Sequence, residues 1–251
     1  MGFKFKKINS RKILMERNHV ITAKVKFLMR YLQLKYSGED INFIFLDETW
    51  IYKNGSELRR WVKDDDKRSV NIKIKSEGDR FTVLHAGYRG GFLENCLLVF
   101  NSKNTDKDYH KTMNFQIFYN WVNKNLIPAV QNLSGKNVVI MDNAPYHSVL
   151  KEKTPTRSSK KSVLIQFLIE HNVNVNERET KAQLWEKIVP FLQQNKKRYV
   201  VDDLLLQHNI EVLRLAPYHC QHNAIDLVWA YCKTYYNKHI NDVLPREKSC
   251  D

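Results

Sequence analysis

Cysteine is scarce in this 251-residue chain: four residues, Cys96, Cys220, Cys232 and Cys250, at irregular intervals. That excludes the dense disulfide framework on which small secreted scaffolds depend. The stretch "YHCQH" (Tyr218 to His222) can be combined on paper with Cys232 as a zinc site, but its spacing matches no common zinc module. No long apolar span and no signal-peptide pattern opens the chain, so an intracellular, reduced protein is expected. The glycosylation-type triplets at Asn54 and Asn132 carry little meaning without secretion. Internal repeats and long low-complexity tracts are also missing. The last shortage is of acid: 27 Asp and Glu stand against 41 Lys and Arg, for a net charge of +14. A solvated basic surface is one reading of that excess; a polyanionic partner, most often nucleic acid, is the other.

The length suits one large domain, or one domain with an insertion. Residues 1–36 hold ten Lys or Arg and a single acid, Glu16. Ile21, Val25, Leu28 and Leu32 recur there at helical spacing and predict an amphipathic helix whose apolar face docks on the core. "INFIFLDETW", "RRWVKDDD", "RFTVLHAGY" and "CLLVF" read as strands of a meander, with Gly55, Gly78 and the Gly90–Gly91 pair as turn signals. "FQIFYNWVNKNLIPAV" has helical spacing, and "NVVIMD" is a further strand. Residues 151 to about 200 change character: a basic loop, then "SVLIQFLIEHNVNV" and "ETKAQLWEKIVPFLQQ" as two short helices. A plain packing hairpin accounts for that pair; it also weakly resembles a SAP-type DNA-binding unit. "NIEVLRLAPYH" is the last strand, and "NAIDLVWAYCKTYYN" a helix with Ile225, Val228, Trp229, Cys232 and Tyr236 on its apolar face.

Three acids stand at the ends of these elements. Asp47 closes one apolar run, Asp142 closes "VVIM", and Asp226 enters the final helix three residues after Asn223, its candidate N-cap. Taken singly, each has a structural explanation, as a helix-dipole partner or an Asx-turn. Taken together, they form a pattern, because the carboxyl ends of neighbouring strands make the usual binding crevice of an α/β sheet. Three carboxylates gathered there repel one another, and divalent cations that prefer hard oxygen ligands, Mg²⁺ or Mn²⁺, resolve that repulsion. Two such ions can drive phosphodiester cleavage.

"FLDETW", "VVIMDNAPYHS" and "LAPYHCQHNAIDLVWAYCK" resemble the three acidic signatures of the Tc/mariner superfamily of DDE/D transposases, and "GFKFKK" resembles the end of that family's linker. The resemblance runs from about residue 1 to residue 240, interrupted near 151–200. It implies an α/β, RNase H-like fold, a five-stranded mixed sheet flanked by helices with a helical insertion before the last strand. It also implies metal-dependent DNA cleavage and strand transfer. Asp47, Asp142 and Asp226 would be the catalytic residues and ligands of two Mg²⁺ or Mn²⁺ ions. Metal-bound water would attack the phosphodiester at the element end, and the freed 3′-hydroxyl would attack target DNA, in this family generally at TA. DNA, as transposon ends and target, is the implied partner; a homodimer and a nuclear location follow, with no membrane and no small-molecule substrate. Glu48, Asn143, His147 and Asn223 are adjacent candidates, for each of which a satisfied turn residue is the alternative.

The sequence departs from the family in its third acid, Asp in place of the commoner Glu, in "HCQHNAID" where relatives are Pro-rich, and in Ala224 where Pro usually starts the helix. The interval from Asp142 to Asp226 is also longer, which the helical insertion accounts for. The chain starts at the linker, without the paired helix-turn-helix modules of autonomous members. A truncated transposase, a fragment and a derived host protein are the corresponding expectations. The expected organisation is a linker and helix over 1–40, a first catalytic part over 41–150, an insertion over 151–202, and a last part over 203–251. The alternatives to an active transposase are a transposon-derived DNA-binding protein that no longer cuts and a related RNase H-fold nuclease.

Overall fold

The computed structural model describes residues 13–55, 77–101, 113–152, 154–176, 178–194 and 197–243. Helix α1 (Asn18–Lys35) leads into β1 (Ile41–Tyr52), then β2 (Arg80–Tyr88), β3 (Gly91–Phe92) and β4 (Leu98–Asn101). Helices α2 (Phe115–Trp121) and α3 (Ile127–Gln131) are joined through a π turn, Val122–Leu126. Pro128 explains that turn: its ring clashes with the preceding helical turn, and the backbone widens to accommodate it. Strand β5 (Lys136–Met141), helices α4 (Lys161–Glu170), α5 (Lys181–Gln194) and α6 (Val200–Gln207), strand β6 (Ile210–Arg214) and helix α7 (Ala224–Val243) complete the order.

The strands form a mixed six-stranded sheet in the order β3-β2-β1-β5-β6, with β4 also on β2. β1, β5 and β6 run parallel; β2 is antiparallel to β1, and both β3 and β4 are antiparallel to β2. Five strands were expected. The sixth arises because one strand position is split: β3 pairs with Gly87 and Tyr88, β4 with Phe81 to Leu84, and the chain between them turns in to bury Leu93 and Cys96. The predicted strand "RRWVKDDD" and the "GFKFKK" linker lie outside the described residues.

Both sheet faces are covered, so the central strands are apolar on both sides. Ile44, Leu46, Val139 and Met141 face α2, α3 and α6, where Phe118, Leu126, Val201 and Leu205 are buried. Ile41, Phe43, Phe45, Val138 and Ile140 face α1. Phe45, Ile51 and Val83 meet Ile225 and Trp229 of α7 on that same side. The buried residues of α1 are Val20, Phe27 and Leu34; of the predicted stripe Leu28 packs against the core, while Ile21, Val25 and Leu32 are exposed. Two apolar stripes compete on this helix, and side-chain pairing decides between them. Arg30 makes a bidentate ion pair with Glu211 of β6 at 2.7 and 2.8 Å, and Phe27 stacks on His222.

The β1–β5 register is set at Gly135. Its φ is +92°, and a side chain there would meet the Asp40 carbonyl oxygen at 2.5 Å. The open space lets Lys136 N–H bond that same carbonyl at 2.9 Å, which starts the parallel pair.

Helices α4 and α5 have an apolar cluster of their own, built on Leu164, Leu168, Leu184 and Ile188. Where this excursion leaves and rejoins the sheet domain, Leu150 bridges Tyr199, Lys151 N–H bonds Arg198 and Val200 N–H bonds Val149. Helix α6 sits on the main core, not on the excursion. Leu168→Ala is expected to cost about 2–5 kcal/mol by opening a cavity. Amide exchange should rise in α4 and α5 while β5 stays protected; exchange rising equally in β5 would mean that one core holds both.

Candidate functional site

Parallel pairing of β1 with β5 ends at Phe45 and Ile140. Side chains alternate along a strand, so Asp47 shares the α1–α7 face with Phe45, while Asp142 directly follows the last residue of β5, Met141. β1 runs on past Asp47 to Tyr52, paired only with β2 on the opposite edge, so Asp47 marks the point where two strands part and not a strand end.

Helix α7 supplies the third acid. Asn223 precedes it, but its side-chain oxygen is buried without a hydrogen-bond partner, so the expected capping bond is not made. Instead Asn223 Nδ2 donates to the Leu46 carbonyl at 3.2 Å, and Asp226 N–H bonds the Asn223 carbonyl at 3.1 Å. This fastens the start of α7 one residue before Asp47 and brings Asp226 into hydrogen-bonding contact with it. Burial, the bond to Asp226 and the charge of Glu48 push the Asp47 carboxyl up to about 8.

Asp142 is held differently. Its Oδ1 accepts from Ala144 N–H at 2.9 Å and from His147 Nδ1 at 2.7 Å, while its side chain remains 49% exposed. Burial would raise this carboxyl, but those bonds and the charges of His147 and Arg214 hold it below the ordinary carboxylate range. His147, only 1% exposed, reaches the other way through Nε2 to Glu48 Oε1 at 3.1 Å, and Tyr146 donates its hydroxyl to Glu48 Oε2 at 3.2 Å. Burial opposes an imidazolium, yet the two carboxylates raise His147 to about 9, so it carries its charge at neutral pH and donates from both nitrogens. Beneath the 142–148 turn, Arg214 of β6 donates to the carbonyls of Asp142 and His147, to Ser148 Oγ and to Asp202. The Phe118 and His147 ring centroids are 4.0 Å apart.

Sequence reasoning treated Glu48 and His147 as turn residues at least as readily as site residues; they are the hinge of the network. No spacing links them, because Glu48 reaches His147 across two strands. Tyr146, Trp50, Arg80 and Lys233 were not singled out. Of these only Lys233 has a sequence signal, lying two helical turns beyond Asp226. All four border a cavity of about 700 Å³ whose floor holds Asp47, Glu48 and Asp226.

The donor set fits a hard divalent cation: carboxylate oxygens border a cavity, and the proton held on Asp47 is one a cation would displace. Among the described residues, however, no three His, Cys, Asp or Glu side chains are grouped closely enough to hold a metal ion. Asp47 and Asp226 meet; Asp142 turns its Oδ1 to His147, which reaches on to Glu48. The zinc combination is not assembled either, since His222 stacks on Phe27, His219 Nδ1 lies 2.8 Å from the Pro217 carbonyl, and Cys232 packs in the apolar cluster of α7. No described helix is long and apolar enough to cross a membrane.

The architecture has solved counterparts. A Mos1 transposase paired-end complex with left transposon end matches with a TM-score of 0.51 at 14% identity, over 94% of this chain and 54% of that one. A pre-cleavage Mos1 transpososome has a TM-score of 0.44 at 14% identity, over 98% and 61% of the two chains. A Mos1 mariner paired end complex with Mn has a TM-score of 0.35 at 15% identity, over 97% and 64%. The first likeness gives this chain a Tc/mariner transposase-like fold, and at that identity it speaks to fold alone. The chain spans about half the length of that transposase. No family model and no curated protein sequence matches it.

Two outcomes follow from the ionisation pattern. A carboxyl raised in the folded state lowers stability as pH climbs from its ordinary 3.8 through about 8. Asp47→Asn should therefore melt higher than the parent in alkaline buffer and equal to it near the ordinary carboxylate pKa, in a thermal series across pH. His147 has the opposite sign: its stabilisation is full below 6.5 and is lost as pH rises through about 9. His147→Ala, which takes the cation from between Asp142 and Glu48, should cost about 3–5 kcal/mol at neutral pH by denaturant unfolding, with the deficit shrinking in alkaline buffer.

Proposed function

We propose that this chain is the catalytic domain of a metal-dependent DNA transposase, with Asp47, Asp142 and Asp226 as its catalytic residues and metal ligands. The observation that carries the reading is the meeting of Asp226, at the head of α7, with Asp47 of β1, helped by the Asn223–Leu46 bond, with Asp142 on the turn that follows the neighbouring strand β5. The fold likeness to a transposase paired-end complex and the charge of +14 support DNA as partner, both as transposon end and as target. A nuclear location and a homodimer belong to the same proposal, as does the division into 1–40, 41–150, 151–202 and 203–251.

The residues divide the work. Asp47 and Asp226 would hold Mg²⁺ or Mn²⁺ in place of the proton on Asp47, and Asp142 would offer its exposed carboxylate edge from the turn after β5. Bound there, two such ions supply Lewis acidity at the phosphate and a nucleophile at neutral pH. His147 fixes the Asp142 carboxylate, and Glu48 and Tyr146 fix His147 from behind. Arg214 holds the turn that carries Asp142 and His147. Lys233, whose pKa burial lowers against the pull of Asp47 and Asp226, is a cation beside the reacting phosphate.

A second reading has its own support. The described residues do not close a three-ligand set, as expected of a transposon-derived DNA-binding protein that no longer cuts. One experiment separates the two. Pre-nicked duplex DNA is incubated with Mn²⁺ and either the parent or Asp142→Asn. The transposase reading expects strand cleavage from the parent and at least a hundredfold less from the variant, on the order of the loss when a group stabilising transition-state charge is removed. Equal product from both rules out the assigned site; no product from either, with DNA still bound, selects the binding protein. Mn²⁺ at a hundredfold excess over its Kd should also stabilise the parent by about 2.7 kcal/mol and Asp47→Asn by less.

A further inference from the structure

The positive charge of this chain is confined to two stretches. Residues 1–36 carry ten Lys or Arg against one acid, and residues 151–200 carry eleven against five. The other 165 residues, which hold the sheet and the carboxylates, carry 20 against 21. The sheet domain therefore has no net attraction for a polyanion, and its carboxylate cluster repels phosphate. Of the two basic stretches, the excursion between β5 and β6 packs on an apolar cluster of its own and joins the sheet domain through the Leu150–Tyr199 neck. Its cations gather at one end. Glu179, just before α5, bonds Lys187 at 2.7 Å and feels the charge of Lys161 at the start of α4, so the starts of the two helices stand together. Arg157, Lys160, Arg178 and Lys181 flank those starts, are exposed, and form no ion pair with a described residue. Of the acids nearby, Glu179 is spent on Lys187, and Glu170 closes α4 at its other end. Like charges held side by side repel, and no described carboxylate offsets these four.

We propose that the α4–α5 excursion is a second DNA-binding surface, which grips the phosphate backbone of duplex DNA through Arg157, Lys160, Arg178 and Lys181 without reading sequence and without metal. This rests on the DNA-processing reading of the carboxylate site and deepens it, by assigning retention of the duplex to a different part of the fold from its cutting. Contacts to phosphate fix a protein on the duplex but carry no sequence information. Each one releases counterions, so binding of this kind survives chelation of divalent metal and falls steeply with salt.

Binding of a short labelled duplex to the 251-residue chain is measured by fluorescence anisotropy in EDTA over a salt series. One variant combines Arg157→Gln, Lys160→Gln and Lys181→Gln. A control combines Lys53→Gln, Lys124→Gln and Lys238→Gln, which remove the same charge from exposed positions of the sheet domain. The excursion variant should bind about a hundredfold more weakly in low salt and lower the log–log salt slope by about two to three, equally for a scrambled duplex. The control should keep the parent's slope. Arg157→Lys, Lys160→Arg and Lys181→Arg, which keep the charge, should bind as the parent does. A control that loses as much as the excursion variant overturns the proposal. So does an excursion variant with the parent's slope, or a charge-keeping variant as weak as the Gln one. If Mn²⁺-dependent cleavage fails while these slopes hold, the transposase reading falls and the surface stands. A parent that binds no duplex overturns both.

Discussion

Like charge, brought together and kept together, is the constraint on which this structure turns. Asp47, Glu48 and Asp226 crowd together where β1 separates from β5, and Asp142 is tied to Glu48 through His147. Two carboxylates about 4 Å apart repel by roughly 4 kcal/mol at an effective dielectric near 20, against a total stability of about 5–15 kcal/mol for a typical domain. No single compensation suffices, and the protein uses several. Burial and the neighbouring acids raise Asp47 so that it keeps its proton; His147 carries a positive charge between Asp142 and Glu48; Tyr146 donates to Glu48; Arg214 ties the whole turn to β6. The alternation of β1 divides the load further, since Asp47 and Glu48 lie on opposite sheet faces and call on different partners.

The arrangement makes the site a balance between two kinds of neutralisation. A proton, an imidazolium and a lysine hold it in the protein alone. A hard cation would supply the same neutralisation more strongly and would compete with the proton on Asp47. The backbone beneath does not depend on which one wins. Gly135 and the Asp40 carbonyl fix the strand register, and the Asn223–Leu46 bond fixes the helix, with groups that do not titrate.

Much of this was legible in the chain itself. Apolar runs closed by an acid gave β1 and β5, because a strand buried on both faces has to be apolar along most of its length. Helical spacing gave α4, α5 and α7. Two things were hidden. The buried face of α1 could not be chosen between two apolar stripes, since Arg30 and Phe27 select it through partners on β6 and beyond, remote in sequence. The contact of His147 with Glu48 was hidden for the same reason: it joins residues brought near only by the β1–β5 pairing. Local pattern reports the element; long-range pairing reports the partner.

The neck at Leu150 and Tyr199 bears on how such a chain can change over time. Its two ends are hydrogen-bonded side by side, so whatever is threaded between them begins and finishes at the same place. Closing a longer loop across a fixed gap costs little more than closing a short one. Segments can therefore be gained, lost or exchanged there while β5 and β6 keep their register. The spacing between the second and third acids is free to drift among descendants of one ancestor, and a search that demands a fixed spacing would overlook them.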